Sequence, residues 1–230
     1  MLTLVIANKN YSSWSMRPWV LLKALDIAFT EIMLKFHSDD WARELPRLSP
    51  SGLVPVLWNG EIGGAKSMCV WESTAIYEYL AELFPKKRIW PESSSARAHA
   101  RAIVAEMHAG FRACRMSMPM NIRAHLAGLG MNPDVAGNIQ RIETIWRETR
   151  KKFADGRPFL FGEFSAADAM YAPVVMRFAT YQPALAADTL AYCAAVAAHP
   201  AVAAWVADAR LETQFVAEDE PYANMAQSGQ

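Results

Sequence analysis

Tyr11-Ser12-Ser13-Trp14-Ser15-Met16-Arg17-Pro18 is the stretch on which the fold reading turns. Ahead of it, Leu2 to Ala7 is a short β-rich run closed by the polar Asn8-Lys9-Asn10. Behind it, Met16 to Leu25 has a helical pattern, with Pro18 tolerated in the first turn. Ser12, Ser13 and Ser15 therefore crowd a strand-to-helix junction. The N-terminus of such a helix offers unpaired N–H groups and a partial positive charge. A hydroxyl there can stabilise an anion arriving from solution, although a serine before a helix is also an ordinary cap. No Gly-rich phosphate loop and no Gly-x-Ser-x-Gly elbow accompanies it.

Outward from this junction the first part of the chain mixes strand and helix signals. Thr30, Ile32, Leu34 and Phe36 alternate with Glu31, Met33 and Lys35, the period of a half-buried strand. Ser49-Pro50-Ser51-Gly52-Leu53 is a loop by composition. Val54 to Trp58 and Met68 to Trp71 are short strands, joined by the glycine-bearing turn Asn59 to Lys66. Ser73 to Leu83 is a helix that Pro85 terminates. The order is β-α-β-loop-β-β-α.

Past Pro91 the pattern changes. Glu92-Ser93-Ser94-Ser95 is polar and caps a helix, and no strand is predicted from Ala96 on. One long helix is expected from Ala96 to about Leu126, bent at Pro119. Others are expected over Pro133–Ala154 and Ala166–Phe178, with two around Pro200 that end near Gln214. The tail after Val216 is polar and is expected to fray. The architecture is thus a small α/β domain over residues 1–85, a linker over 86–95, and an all-helical domain over 96–230.

Composition narrows the function classes. The 230 residues hold 23 Lys plus Arg against 23 Asp plus Glu, so no basic excess exists for nucleic acid. Hydrophobic residues make up 53%, enough for a core. Leu2 to Ala7 is too short for a signal peptide, and the uncharged run Thr189 to Ala207 reads as two Ala-rich helices rather than a membrane span. Cys69, Cys114 and Cys193 lack metal-type spacing, and no His-Glu-x-x-His appears. The expectation is a cytoplasmic protein with free thiols, no metal, and neither a nucleic-acid nor a membrane partner.

Three further motifs carry chemistry. Val54-Pro55-Val56 places a proline at a strand start, where a bulge, an edge or a cis turn must absorb it; cis and trans remain open. In Trp71-Glu72-Ser73-Thr74 a strand ends and a helix begins with Ser73 as cap. That helix N-terminus suits a carboxylate and Glu72 an ammonium, the two charges of an α-amino acid end group. Plain capping is the competing reading. Phe164-Ser165-Ala166-Ala167-Asp168 is a capping box, which makes Asp168 a buried folding residue.

In this order and spacing the four motifs resemble the cytosolic glutathione transferase superfamily, over Leu2 to about Gln214. The resemblance is to serine-type zeta- and tau-like members. It implies a thioredoxin-like N-domain that binds glutathione, a helical C-domain that supplies an electrophile pocket, and a C2 homodimer. The Ser-x-x-x-x-Arg spacing of Ser12 and Arg17 makes Ser12 the thiolate-stabilising hydroxyl, with Ser13 and Ser15 as rivals. The resemblance further implies that Val54 offers its backbone to the cysteinyl part before a cis-Pro55. Glu72 and Ser73 would hold the γ-glutamyl ammonium and carboxylate, and Asp40 or Trp41 would lie at the glycyl end. The electrophile pocket would draw on Met107, His108, Phe111, Arg112, Arg115, Met116 and Met118. Zeta members carry a cysteine where this chain has Trp14, a departure that counts against maleylacetoacetate isomerase activity. The implied function is glutathione-dependent conjugation, isomerisation or reduction of a small apolar electrophile. The alternative is a non-catalytic binding protein on the same fold, and the absence of Cys-x-x-Cys in the first domain disfavours dithiol redox chemistry.

Overall fold

The computed structural model describes residues 1–224. Its first part comprises β1 (Leu2–Ile6), α1 (Ser13–Ala24), β2 (Thr30–Met33), α2 (Asp39–Leu48), β3 (Val56–Asn59), β4 (Met68–Trp71) and α3 (Ser73–Leu83). The sheet order is β2-β1-β3-β4, with β1 parallel to β2 and antiparallel to β3, and β3 antiparallel to β4. The strand period of two explains why all of β1 is buried. Leu4 and Ile6 enter the core shared with α1 and α3, whereas Val5 meets Val56, Trp58 and the α2 residues Leu45 and Leu48 in a second core.

Helix α2 is missing from the sequence-based order: Trp41, Leu45 and Leu48 do fall at helical spacing behind the Ser38 cap, but Pro46 and the surrounding charge mask the pattern. Leu45 and Leu48 are its buried contribution, and tertiary cover of the sheet's second face stabilises it. Helix α1 starts at Ser13, three residues before the expected Met16, so Pro18 falls beyond the first turn. In α3 the cap is Glu72, at φ 70°, and Ser73 is the first helical residue, which corrects the expected Ser73 cap.

The second part comprises α4 (Ser94–Ala109), α5 (Arg112–Ser117), α6 (Pro133–Phe153), α7 (Ala166–Tyr181), α8 (Ala187–Ala198) and α9 (Pro200–Leu211). The expected single helix to Leu126 is broken at Gly110-Phe111, not bent at Pro119. Phe111 takes a left-handed conformation at φ 57° while its ring is buried, so core packing overrides helix continuation. Pro119 lies in irregular chain after α5. Helices α8 and α9 meet at a 74° bend, and among the described residues no single helix is long and apolar enough to cross a membrane.

Helix α7 is buried along nearly its whole length and packs against α1, joining the two parts through one core. The expected capping box starts it, and Asp168 is fully buried. Its Oδ1 accepts Leu160 N–H and Tyr192 O–H, each at 3.0 Å. Its Oδ2 accepts Ser165 N–H at 3.0 Å and Ser165 O–H at 3.1 Å.

The segment after α9 docks on the loop after β1. Of the tail after Val216, for which fraying is expected, Glu220 and Tyr222 are held by hydrogen bonds, while residues 225–230 lie outside the described residues. Glu212 accepts the N–H groups of Lys9 and Asn10 at 2.6 and 3.1 Å. Asn8 donates to the Gln214 side chain at 2.8 Å, and Gln214 donates to Phe36 O at 2.6 Å. Tyr11 O–H donates to Glu220, Arg123 donates to Tyr11 Oη at 2.8 Å, and Tyr222 O–H reaches Ser117 O at 2.8 Å. Burial and Glu220 push the Tyr11 phenol up to about 12. The polar Asn8-Lys9-Asn10 is correspondingly buried, with Lys9 Nζ 4.7 Å from the Trp19 ring and paired to Glu31 and Asp208.

Candidate active site

Two adjoining cavities lie between the sheet unit and helices α4 and α5. The smaller, about 400 Å³, is lined by Trp14, Ser51, Leu53, Val54, Pro55, Glu72, His108 and Arg115. The larger, about 560 Å³, takes its wall from Tyr11, Ser12, Ser13, Trp14, Phe36, Trp41, Leu53, Val54, Arg112, Arg115, Met116, Pro119, Arg177 and Asp219. Trp14, Leu53, Val54 and Arg115 belong to both, so the two cavities share a wall.

Of the three candidate serines, Ser12 and Ser13 line the larger cavity and Ser15 does not. Ser15 is fully buried, and its Oγ accepts Ala7 N–H at 3.1 Å and Ser12 O–H at 2.7 Å. Ser12 caps α1, accepting Ser15 N–H at 3.4 Å. The Ser12–Ser15 contact can reverse direction, because each hydroxyl can donate or accept. Reversal would free the Ser12 proton for a ligand without orphaning either oxygen. Ser13 Oγ accepts from Arg177 Nη2 at 3.3 Å.

The peptide bond Val54–Pro55 is cis, and both residues line the smaller cavity. Glu72 lines it too, in the left-handed region and with no side-chain cap on the α3 N–H groups. Ser73, the next residue, is fully buried and its hydroxyl has no partner among the described residues. An unpartnered buried hydroxyl costs stability unless a ligand satisfies it. His108 on α4 reaches Glu72 at 3.5 Å and packs its ring edge-on to Trp14 at 5.1 Å. Burial holds the His108 imidazole below its ordinary value against the opposing pull of Glu72, so at neutral pH the ring is uncharged and does not compete with a cationic ligand for that carboxylate.

The remaining expected site residues separate. Trp41 lines the larger cavity, whereas its neighbour Asp40 is exposed, bonded to Arg43, and reaches neither cavity. Arg112, Arg115 and Met116 of α5 face the larger cavity. Met107, Phe111 and Met118 are buried core residues instead. Sequence reasoning missed Arg177 and Asp219. Arg177 had a signal, being the only charged residue besides Asp168 in an otherwise uncharged helix, but Asp219 had none. Among the described residues no cluster of three His, Cys, Asp or Glu side chains could hold a metal.

A parallel–antiparallel sheet with a cis-proline before β3, followed by a helical unit, defines a thioredoxin-like domain joined to an all-α domain. The family described as Glutathione S-transferase, N-terminal domain matches residues 11–83, and Glutathione S-transferase, C-terminal domain matches residues 132–208. The chain belongs to the cytosolic glutathione S-transferase superfamily. It is 42% identical over 94 residues to glutathione S-transferase GstB of Escherichia coli, a match covering 40% of this chain and 43% of the relative. It is 39% identical over 66 residues to a probable maleylacetoacetate isomerase of Vibrio cholerae, covering 29% of this chain and 28% of the relative. The matches thus span less than half the length of these curated relatives. A crystal structure of a glutathione transferase homologue from Burkholderia, with bound glutathione, shares the fold. Its TM-score is 0.67 at 22% identity, covering 91% of this chain and 98% of that one.

Proposed function

We propose that this protein is a glutathione-dependent transferase in which Ser12 stabilises the glutathione thiolate. The observation that carries the reading is the convergence of two helix N-termini on adjoining cavities. The α3 terminus has no side-chain cap and presents Glu72 to the smaller cavity, while the unpartnered Ser73 hydroxyl lies buried next to it and lines neither cavity; together they are complementary to an ammonium and a carboxylate. The α1 terminus presents the Ser12 hydroxyl, complementary to a thiolate. Val54, between them in both cavities, suits the backbone of the cysteinyl part. Trp41, which lines the larger cavity, suits the glycyl end better than Asp40, which reaches neither cavity.

The energetics close without a general base. A free thiol titrates near ~8.5, so only a few per cent is thiolate at neutral pH. Lowering it by about two units needs about 2.7 kcal/mol of preference for the anion. One charge-assisted hydrogen bond of ~1.5–3 kcal/mol plus a helix-terminus contribution of ~0.3–1 kcal/mol supplies it. The thiol proton leaves to solvent. The sulfur then bonds to the electrophilic carbon, and a leaving group departs with its electron pair.

The test is the thiolate absorbance of glutathione against pH with stoichiometric protein. A bound thiol titrating well below its free value supports the reading. Binding without a shift would make glutathione a structural ligand, and no binding would sink the reading. Ser73→Ala is expected to raise the KM for glutathione about tenfold, from loss of ~1.5 kcal/mol of hydrogen bonding to a charged group. The same variant should leave Tm unchanged or higher, because it deletes an unpartnered buried hydroxyl. A lowered Tm with unchanged KM would place Ser73 in the fold alone. The wider family reading carries a cytoplasmic C2 homodimer, for which the exposed Met68 and Trp71 on edge strand β4 are available contacts.

A further inference from the structure

We infer that the larger cavity takes an electrophile bearing its own anionic group, a carboxylate or similar oxyanion, held by Arg112 and Arg115 of α5. The inference rests on the glutathione chemistry proposed for the same site, and it replaces the simple apolar electrophile expected from sequence.

Arg112, Arg115 and Arg177 line this cavity, and the Arg17 guanidinium stacks 4.0 Å from the ring centre of Trp14, another wall residue. Among the described residues none of the four is ion-paired. Arg17 donates to the carbonyls of Met170 and Ser13, and Arg177 to those of Met118 and Pro173 and to Ser13 Oγ. Arg115 donates once, to His108 O at 3.3 Å, and Arg112 has no side-chain hydrogen bond among the described residues. Burial and mutual repulsion hold Arg17, Arg115 and Arg177 below the usual guanidinium range, with Arg17 near about 9. The facing carboxyl is Asp219, pushed up to about 6 by burial against the pull of Arg177. Several cations facing one carboxyl leave an uncompensated positive field in a partly desolvated space, where a bidentate oxyanion is the complementary ligand.

The rest of the wall selects the body of that ligand. Trp14, Phe36, Trp41, Met116 and Pro119 present aromatic and apolar surface. Glutathione's own γ-glutamyl carboxylate has the uncapped α3 terminus in the other cavity, which Arg112 does not line. Arg177 has its donors committed to the protein, so Arg112 and Arg115 hold the free N–H groups.

The experiment compares conjugation of glutathione with a chloronitrobenzoate and with its carboxamide, which share ring and leaving group and differ by one charge. The thiolate sulfur bonds to the ring carbon bearing chlorine. The C–Cl bond breaks, and chloride leaves with the electron pair. Wild type is expected to show a kcat/KM about tenfold higher for the benzoate. Arg115→Gln and Arg112→Gln should each reduce that ratio severalfold, the benzoate rate falling more than the carboxamide rate. Arg115→Lys should retain part of it. The ratio should also fall as pH rises through about 6, as Asp219 ionises beside Arg112, Arg115, Arg177, His37, Glu218 and Glu220. Asp219→Asn should flatten that dependence and raise the ratio at neutral pH. Equal turnover of the two compounds in wild type would overturn the inference and leave the glutathione reading standing. A raised glutathione KM in Arg115→Gln would assign that guanidinium to glutathione and overturn it too. Failure of both conjugations, with no lowering of the thiol pKa, would overturn both readings together.

Discussion

Asp168→Ala is expected to lower Tm by roughly 8–16 °C. Four buried donors, from Leu160, Tyr192 and Ser165 (twice), converge on this carboxylate at 3.0–3.1 Å. Each donor left unpaired in the interior costs ~1–3 kcal/mol, and entering water recovers part, for a net loss of roughly 4 kcal/mol. In a chain of this size each 1 kcal/mol corresponds to about 2–4 °C. The functional consequence is indirect, because α7 carries both Arg177 and Met170, whose carbonyl anchors Arg17 below Trp14. Asp168→Asn should lose less, since its amide oxygen still accepts two of the four donors while its NH2 group opposes the others. A calorimetric drop below about 3 °C for the alanine variant would show that the box is not a stability centre.

Ser12→Ala is expected to raise the pKa of bound glutathione's thiol by about 1–2 units, the equivalent of losing one charge-assisted hydrogen bond. kcat/KM near neutral pH should fall about threefold to twenty-five-fold as the thiolate fraction drops, with glutathione affinity nearly intact. The variant also loses the α1 cap, a cost of ~1 kcal/mol, so a slightly lowered Tm accompanies the effect without explaining it. Ser13→Ala should shift the thiol less on this reading, although Ser13 is the direct rival, because accepting from Arg177 leaves its own proton free to donate. Ser15→Ala should show an intermediate shift, because Ser15 can return a proton to Ser12 only through the 2.7 Å contact between them. A larger thiol shift in Ser13→Ala than in Ser12→Ala would transfer the role to Ser13.

Much of the candidate site was legible because it sits at chain-local junctions. A helix terminus is a property of a few consecutive residues, so Ser12, Ser13, Glu72 and Ser73 could be located from spacing alone. The capping box at Ser165 and Asp168 is local in the same sense. Local signals failed where burial overrode them. Helix α2 carries an apolar stripe of Trp41, Leu45 and Leu48, but Pro46 inside it reads as a breaker, and cover of the sheet's second face is what stabilises it despite that proline. Phe111 breaks the expected long helix because burying its ring outweighs one left-handed residue.

The order of strands and helices, the two units, the two helix termini that present hydroxyl and carboxylate, and the buried acid of α7 all follow from patterns within a few turns of chain. The charge of the larger cavity does not. Arg17, Arg112, Arg115, Arg177 and Asp219 come from α1, α5, α7 and the C-terminal segment, up to 202 positions apart in the chain. Only the packing of α7 on α1 and the docking of Glu212, Gln214 and Glu220 onto the loop after β1 bring four of them to one wall, with Arg17 stacked on Trp14 of that wall. Electrostatic fields depend on distance in space, so residues distributed without excess along a neutral chain can still concentrate as one positive surface.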